Sequence, residues 1–318
     1  MLAELEPADR LVRPHLDRLV RDARGRGPLP LAVVYPCDKA SIDSVAAAAD
    51  AGLIVPLLVG PAARIAAAAA AAGADLSRWR CHDTGEDPRD AATTAVALCG
   101  DGSACGLMKG SLHSDDLLAA ALSRQGGLRS SRRVSHAFVM DLPGCGRPLL
   151  FTDCVVNIAP DLIDKRDIVQ NAIDLALMLG IVEPKVAILS AVETVNPSIP
   201  GTLDAAALCK MADRGQIVGG LLDGPLAFDN AISAESARNK GITSAVAGQP
   251  DVLLVPNLEA GNMLYKQLVY QAGADCAGLV LGTRVPIVLT SRSDSVASRV
   301  ASCALAVLAA AGRPRVAS

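Results

Sequence analysis

The chain has 318 residues, a formal net charge of −3 and a composition that is 51% hydrophobic but only 2% aromatic. This length suits one large or two medium-sized α/β domains, and a core built from Ala, Val, Leu and Ile suits close packing of helices on sheets. The slight negative charge gives no electrostatic support for a nucleic-acid partner.

The sequence predicts a cytoplasmic protein with no membrane partner. The first residues are charged and lack the apolar stretch of a signal peptide, and the alanine-rich run at 62–72 is far shorter than the roughly 20 residues of a membrane-spanning helix. The nine cysteines include no CxxC pair, and the four histidines show no metal-ligand spacing. We therefore expect reduced thiols and no metal site.

Short apolar runs alternate with alanine-rich segments along the chain, a pattern typical of βαβ units and parallel sheets. Strands are predicted at 31–35, 54–59, 106–108, 137–141, 149–155, 186–192, 217–222, 252–255, 277–281 and 287–289. Helices are predicted at 41–51, 61–72, 88–98, 114–123, 165–179, 203–214, 231–239, 262–271 and 293–311. The Pro- and Gly-rich segment at 142–148 predicts a hairpin between two strands.

Two segments predict domain junctions: the basic run GLRSSRR at 127–133 and the turn at 282–284. The final strand and helix are too small to form a domain alone, so we expect them to return to the first domain. The prediction is a discontinuous domain of residues 1–133 plus 284–318 around an inserted domain of residues 134–283. A cleft between two domains is a favoured position for a small-molecule site.

The first candidate site cluster is Ser291, Arg292, Ser293 and Asp294, directly after a predicted strand. A serine here can cap a helix beginning near residue 294, whose amino end favours an anion. Arg292 can bind phosphate through two parallel hydrogen bonds. An ordinary helix cap with an exposed arginine is the alternative interpretation.

The second cluster is Glu259, Gly261 and Asn262, after the strand predicted at 252–255. Gly261 allows close backbone approach, and Asn262 offers a donor and an acceptor at a helix start. Asp223 and Lys109 follow two further predicted strands, and Lys109 could meet a phosphate. The alternatives are a helix cap for Asn262, a turn carboxylate for Asp223 and a solvated lysine for Lys109. All these residues lie where a strand ends, the position at which open parallel sheets bind ligands.

Several catalytic motifs are absent from the sequence. It has no GxxxxGK[ST] loop and no GxGxxG fingerprint, which counts against nucleotide hydrolysis and against a conventional dinucleotide site. It also lacks a GxSxG elbow, so a hydrolase triad has no usual anchor.

Five segments in chain order resemble the phosphate acetyltransferase and phosphate butyryltransferase family: MKG at 108–110, NIAP at 157–160, DGPLAFDNA at 223–231, PNLEAGN at 256–262 and SRSDS at 291–295. The resemblance implies exchange of an acyl group between coenzyme A and orthophosphate. It also implies a homodimer and a two-domain α/β scaffold akin to isocitrate and isopropylmalate dehydrogenases, with the site in the cleft. Coenzyme A would be a substrate, and no tightly bound cofactor is expected.

The family's Ser-Arg pair falls on Ser291 and Arg292. In the acetyltransferase branch a catalytic aspartate lies seven residues beyond the serine, where this chain has Ser298, so we assign the base provisionally to Asp294 on the same helix face. Arg292 would bind phosphate, and Ser291 would hydrogen-bond the developing oxyanion or align the leaving group. Direct thiolate attack in a ternary complex requires no enzyme cysteine. Lys109, Glu259, Gly261, Asn262 and Asp223 are the expected phosphate and coenzyme A contacts.

Other interpretations stay open at this stage. Two arginines of the acetyltransferase site are missing from the corresponding stretches at 117–119 and 269–270, and the pattern around Lys109 and 291–295 looks closer to the butyryltransferase branch. The acyl group is therefore acetyl or butyryl. An NAD-dependent dehydrogenase of the related fold would need a metal-binding aspartate cluster and a nucleotide fingerprint, which the sequence lacks. A catalytically silent coenzyme A-binding protein is the third interpretation.

Overall fold

The computed structural model describes residues 13–124, 126–291 and 294–312. Within these ranges the strands are β1 Leu29–Val34, β2 Ile54–Gly60, β3 Arg80–Asp83, β4 Leu107–Lys109, β5 Ser135–Asp141, β6 Leu149–Thr152, β7 Lys185–Leu189, β8 Leu221–Leu226, β9 Val252–Leu254, β10 Asp275–Leu281 and β11 Ile287–Val288. All the predicted strands are present. The sequence missed β3, because its residues are polar and largely exposed, and it placed β8 about four residues too early.

The described helices are α1 Pro14–Arg24, α2 Lys39–Asp50, α3 Ala62–Ala72, α4 Pro88–Gly100, α5 Ser114–Ala121, α6 Leu162–Met178, α7 Pro200–Asp213, α8 Phe228–Ile232, α9 Ala234–Asn239, α10 Leu258–Tyr270 and α11 Val296–Ala311, with a short 3₁₀ helix at Leu76–Arg78. The sequence missed α1, whose amino end is capped from a distant strand: the Asp141 carboxylate accepts hydrogen bonds from the backbone N–H groups of His15 and Leu16 at 2.9 and 3.0 Å. A cap supplied 125 residues away leaves no local signal.

The strands form one sheet in the order β3-β2-β1-β4-β11-β10-β5-β6-β9-β7-β8. At one end, β3, β2, β1, β4 and β11 are parallel, and at the other end, β6, β9, β7 and β8 are parallel. Antiparallel pairings join β11 to β10, β10 to β5 and β5 to β6. The predicted hairpin at 142–148 is confirmed as the β5–β6 connection.

Three successive antiparallel pairings reverse the strand direction, so the two parallel sets run opposite ways across the sheet. The carboxyl ends of β4 and β11 share one edge, and the carboxyl end of β9 faces the other. This arrangement decides which of the predicted site residues can meet.

Helices cover both faces of the sheet. One core joins α1, α2, α3, α6, α7 and α11 to the sheet, and two smaller cores lie beneath α4 and α5 and beneath α8, α9 and α10. The predicted α/β class with parallel strands flanked by helices is confirmed, although the two expected sheets are hydrogen-bonded into one.

The last strand and helix return to the early part of the chain, as β11 pairs with β4 and α11 packs against α1 and α2. The proposed boundaries near residues 133 and 284 remain a prediction. No helix within the described ranges has the length and apolar character needed to cross a bilayer.

Candidate active site

Two of the predicted residues, Lys109 and Ser291, line a single small cavity of about 60 Å³. The cavity lies where β4 and β11 end and α2 begins, and its other lining residues are Asp38, Ala40, Ser41, Gly110, Thr290 and Arg299. Lys109 is buried, with 6% of its surface exposed, so the solvated alternative for this lysine is excluded. Its Nζ donates to the Gly110 carbonyl at 3.3 Å.

Asp294 closes the loop that carries Ser291. Its Oδ2 accepts a hydrogen bond from the Ser291 backbone N–H at 2.7 Å, and its own N–H donates to the Ser291 carbonyl at 3.2 Å. Arg292 and Ser293 lie outside the described residues. The loop therefore presents Ser291 and Asp294 together at the carboxyl end of β11.

The helix after this loop begins later than predicted. Ser295 is the N-cap of α11, and its side chain accepts from the Ser298 N–H. The prediction that Asp294 and Ser298 share a helix face is wrong, because Asp294 lies in the loop before the cap. Ser298 is buried in the first turn, where its hydroxyl contacts that of Ser295 at 3.1 Å.

The electrostatic surroundings of Asp294 favour a carboxylate that can exchange a proton. Burial raises the pKa of Asp294, while the hydrogen bond from Ser291 and the positive charges of Arg299 and Lys109 oppose that rise. Burial is the largest of these effects, so the pKa lies above that of an exposed aspartate.

Arg299 was missed in the sequence because it lies five residues beyond Asp294, inside a helix. It is buried, with 6% of its surface exposed. One Nη donates to the Ala40 carbonyl at 3.2 Å and the other to the Ser291 carbonyl at 3.1 Å. Only the folding of α2 against α11 brings these groups together, although an arginine in an otherwise small and apolar helical run is a signal that could have been followed.

The second predicted cluster occupies the first turns of α10. Asn257 is the N-cap, accepting from the Ala260 N–H at 2.9 Å, so the prediction that Asn262 starts the helix is wrong. Asn262 donates to the Cys154 carbonyl at 3.2 Å, and Glu259 is exposed. A side chain at Gly261 would approach Val255 to 2.6 Å, so the predicted close approach there is between α10 and its own sheet.

Because β9 and β11 run in opposite directions, the start of α10 and the Ser291 loop emerge at opposite edges of the sheet. A later turn of α10 carries Tyr265, which interacts electrostatically with Asp294. Burial raises the pKa of Tyr265, and the Asp294 carboxylate adds to that rise, as it does for Cys276 in β10. The Tyr265 ring stacks on Phe138 with centroids 4.2 Å apart and an interplanar angle of 13°.

Asp223 lies within β8 rather than after it, and its carboxylate accepts from the Gly224 N–H at 2.8 Å. In the sheet order β8 is six strands from β11, a separation of roughly 29 Å at the usual strand spacing. The structure therefore does not place Asp223 beside Lys109 and Ser291.

A larger cavity of about 1330 Å³ lies at the amino ends of β1 and β11. None of the predicted site residues lines it, and three of its charged residues are held by partners: Arg132 pairs with Asp174, and Arg284 donates to the Gly127 carbonyl at 2.9 Å. Size alone therefore does not identify it as the active site. Among the described residues, no group of three or more His, Cys, Asp or Glu side chains is arranged to hold a metal ion.

The sequence profile of the phosphate acetyl/butaryl transferase family matches residues 82–307. The chain belongs to this family. It is 57% identical to the phosphate acetyltransferase of Rhizobium meliloti over 297 residues, covering 93% of this chain and 94% of that protein. It is also 42% identical to the phosphate butyryltransferase of Clostridium beijerinckii over 281 residues, covering 88% and 93% of the two chains. The enzyme is therefore an acyltransferase, as the motifs predicted.

Solved structures agree with this assignment. A branched-chain phosphotransacylase from Enterococcus faecalis superposes with a TM-score of 0.78 at 30% identity, over 89% of this chain and 99% of that one. A 4-hydroxythreonine-4-phosphate dehydrogenase from Klebsiella pneumoniae superposes with a TM-score of 0.53 at 13% identity, over 89% and 99% of the two chains, and shows the fold alone. The predicted likeness to a dehydrogenase scaffold is confirmed, whereas a dehydrogenase activity is not favoured.

Proposed function

We propose that this enzyme converts acyl-CoA and orthophosphate into acyl phosphate and free coenzyme A, and the reverse. The observation that supports this most directly is the cavity at the Ser291 loop, where the buried cations Lys109 and Arg299 face one small space. Buried positive charge favours an anion, and this space suits a phosphoryl group rather than a whole coenzyme.

In the direction of thioester synthesis, the coenzyme A thiol must lose its proton before it attacks. A free thiol has a pKa of about 8.5, so an exposed aspartate would be a weak base for it. Burial raises the pKa of Asp294, which makes this carboxylate a better base. We propose that this carboxylate acts as the general base that accepts the thiol proton. The thiolate then forms a C–S bond to the acyl carbon. The bond between that carbon and the bridging oxygen of the phosphate breaks, and phosphate leaves with the electron pair of that bond.

The remaining roles follow from chemistry and position. Ser291 would donate to the oxyanion that develops on the acyl carbonyl, and Arg292 would bind phosphate together with Lys109. Direct attack in a ternary complex requires no acylated cysteine. Contacts of Glu259, Gly261 and Asn262 with coenzyme A remain predictions, and the first turns of α10 would provide them. A contact of Asp223, which lies in β8, also remains a prediction.

The acyl group is best proposed as acetyl. The relative with 57% identity is named a phosphate acetyltransferase, whereas the butyryltransferase relative is 42% identical. The overall identity outweighs the local pattern around Lys109 and residues 291–295, which looks closer to the butyryltransferase branch. Coenzyme A as a substrate without a tightly bound cofactor, a homodimer and a cytoplasmic location are further parts of this proposal.

The test is thioester formation from coenzyme A with acetyl phosphate and, in parallel, with butyryl phosphate. We expect turnover with both and a higher kcat/KM for acetyl phosphate. A higher kcat/KM for butyryl phosphate would reverse the chain-length assignment. No thioester with either donor would leave the silent coenzyme A-binding protein as the better interpretation, and reduction of NAD by the same preparation would support the dehydrogenase.

A further inference from the structure

Arg299 occupies a position that is electrostatically unfavourable for a cation. It lies in the first turn of α11, where the free N–H groups and the helix dipole are positive, and only 6% of its surface is exposed. Burying a guanidinium is unfavourable unless hydrogen bonds or opposite charges compensate for the lost hydration. Residues that break a local preference in this way tend to occur at functional sites, where the rest of the fold compensates for the cost.

The contacts of Arg299 show what it holds together. Nη1 donates to the Ala40 carbonyl at 3.2 Å and to the Ser44 hydroxyl at 3.4 Å, both in α2. Nη2 donates to the Ser291 carbonyl at 3.1 Å. One rigid guanidinium thus spans the start of α2 and the loop that carries Ser291 and Asp294, which are far apart in the sequence.

We infer that Arg299 is a positioning residue that holds Ser291, and with it the hydrogen-bonded Asp294, against the start of α2. The inference rests on the proposed function, in which Asp294 accepts the proton of the coenzyme A thiol. A lysine could supply the charge but could not bridge two carbonyl groups with a planar fork.

The effect of the Arg299 charge on the pKa of Asp294 has a sign that can be measured. The charged and titratable groups that interact electrostatically with Asp294 are Arg299 from α11, Lys109 from β4, Tyr265 from α10 and Cys276 from β10. Removing the positive charge of Arg299 raises the pKa of Asp294 further, because attraction to Arg299 opposes the rise caused by burial. A base acts when deprotonated, so the acidic limb of the rate profile moves to higher pH.

The experiment compares the pH profile of kcat for thioester formation in the wild type, Arg299→Met, Arg299→Lys and the surface control Arg18→Met. Arg299→Met is expected to lower kcat on the order of 10²-fold and to shift the acidic limb to higher pH. Arg299→Lys is expected to restore the limb to its wild-type position while kcat stays below wild type. Arg18, on the exposed face of α1, makes only a surface pair with Asp22, so its variant should match the wild type.

Three outcomes overturn the inference: an unshifted acidic limb in Arg299→Met, a kcat within twofold of wild type, or an equal loss in Arg299→Lys without recovery of the limb. If circular dichroism shows that Arg299→Met is unfolded, Arg299→Lys still tests the bridge between the two carbonyl groups, because lysine retains the charge but lacks the planar guanidinium. In the Asp294→Asn background, Arg299→Met should no longer move the limb. An inactive wild type would refute the proposed function instead, so the two failures are distinguishable.

Discussion

At the scale of single residues, Asp294 is the group on which the proposed mechanism depends. Its carboxylate accepts from the Ser291 N–H at 2.7 Å and lies near two buried cations. The hydrogen bond to Ser291 could be made as well by an asparagine, whereas the transfer of a thiol proton could not. The two roles are therefore separable by one substitution.

Asp294→Asn is expected to lower turnover by roughly 10²–10⁴-fold, with a much smaller change in the KM for coenzyme A. Steady-state kinetics of thioester formation, with the melting temperature as a check on folding, measures this. Near-normal turnover would leave Asp294 with only a loop-closing role and make Glu259 the next carboxylate to test. Glu259 is exposed and lies in the first turn of α10, away from the Ser291 loop.

Arg292 is expected to contribute to phosphate binding by virtue of its charge and its position between Ser291 and Asp294. Arg292→Ala should raise the KM for acyl phosphate and lower turnover, by on the order of 10²-fold in kcat/KM, since a charge-assisted contact is lost. Kinetics with varied phosphate donor, at saturating coenzyme A, measures the effect. Unchanged kinetics would remove Arg292 from the site.

At the scale of elements, α10 links the two halves of the site. Its amino end is held against the sheet, where Asn262 donates to the Cys154 carbonyl, and a later turn carries Tyr265, whose pKa the Asp294 carboxylate helps to raise. Gly261 permits this, because a Cβ there would lie 2.6 Å from Val255 Cγ2 and 3.0 Å from the Cys154 sulfur. The position of α10 thus depends on the absence of one side chain.

Gly261→Ala is expected to destabilise the protein by about 1–3 kcal/mol, the usual cost of overpacking, and to lower activity through displacement of α10. Gly100→Ala is the matched control: it ends α4, and a Cβ there would meet no heavy atom within 4 Å. The control should be neutral or slightly stabilising. Urea unfolding of both variants makes the comparison, and equal stability of the two would contradict the close contact.

At the scale of the whole molecule, the nine cysteines differ mainly in how far their side chains are buried. All lie in the described part of the chain and form no disulfide. Cys81, Cys105 and Cys145 are exposed, Cys37 and Cys209 are partly buried, and Cys99, Cys154, Cys276 and Cys303 are buried. Burial raises the pKa of Cys303 to about 12, and it raises the pKa of Cys154 and Cys276 as well. These buried thiols are therefore poor nucleophiles.

Alkylation with a small neutral reagent is expected to modify Cys81, Cys105 and Cys145 first and to leave most activity, because none of the three lines the cavity at Ser291. Mass spectrometry of the partially alkylated enzyme, paired with its residual turnover, measures this. Rapid quenching with labelled acyl phosphate provides the complementary test: a kinetically competent acyl-cysteine would refute direct transfer in a ternary complex.

The sequence by itself determined the α/β class, nearly every strand and helix, and the family, because these features depend on local periodicity and on short motifs. That Lys109 and Ser291 line one cavity follows from the parallel pairing of β4 with β11, which only the structure shows. The start of α11 was misplaced by about three residues, because several adjacent serines can cap a helix and only packing selects Ser295.

Only the tertiary structure decided the rest of the site. Strand direction across a mixed sheet depends on non-local pairings, so the sequence could not show that β9 and β11 run in opposite directions and that Asn262 and Ser291 do not share an edge. Likewise, Arg299 bridges Ala40 and Ser291 only because α2 packs against α11, a contact across about 259 residues of sequence. Short-range patterns carry no information about such contacts, which arise from the burial of helices on both faces of one continuous sheet.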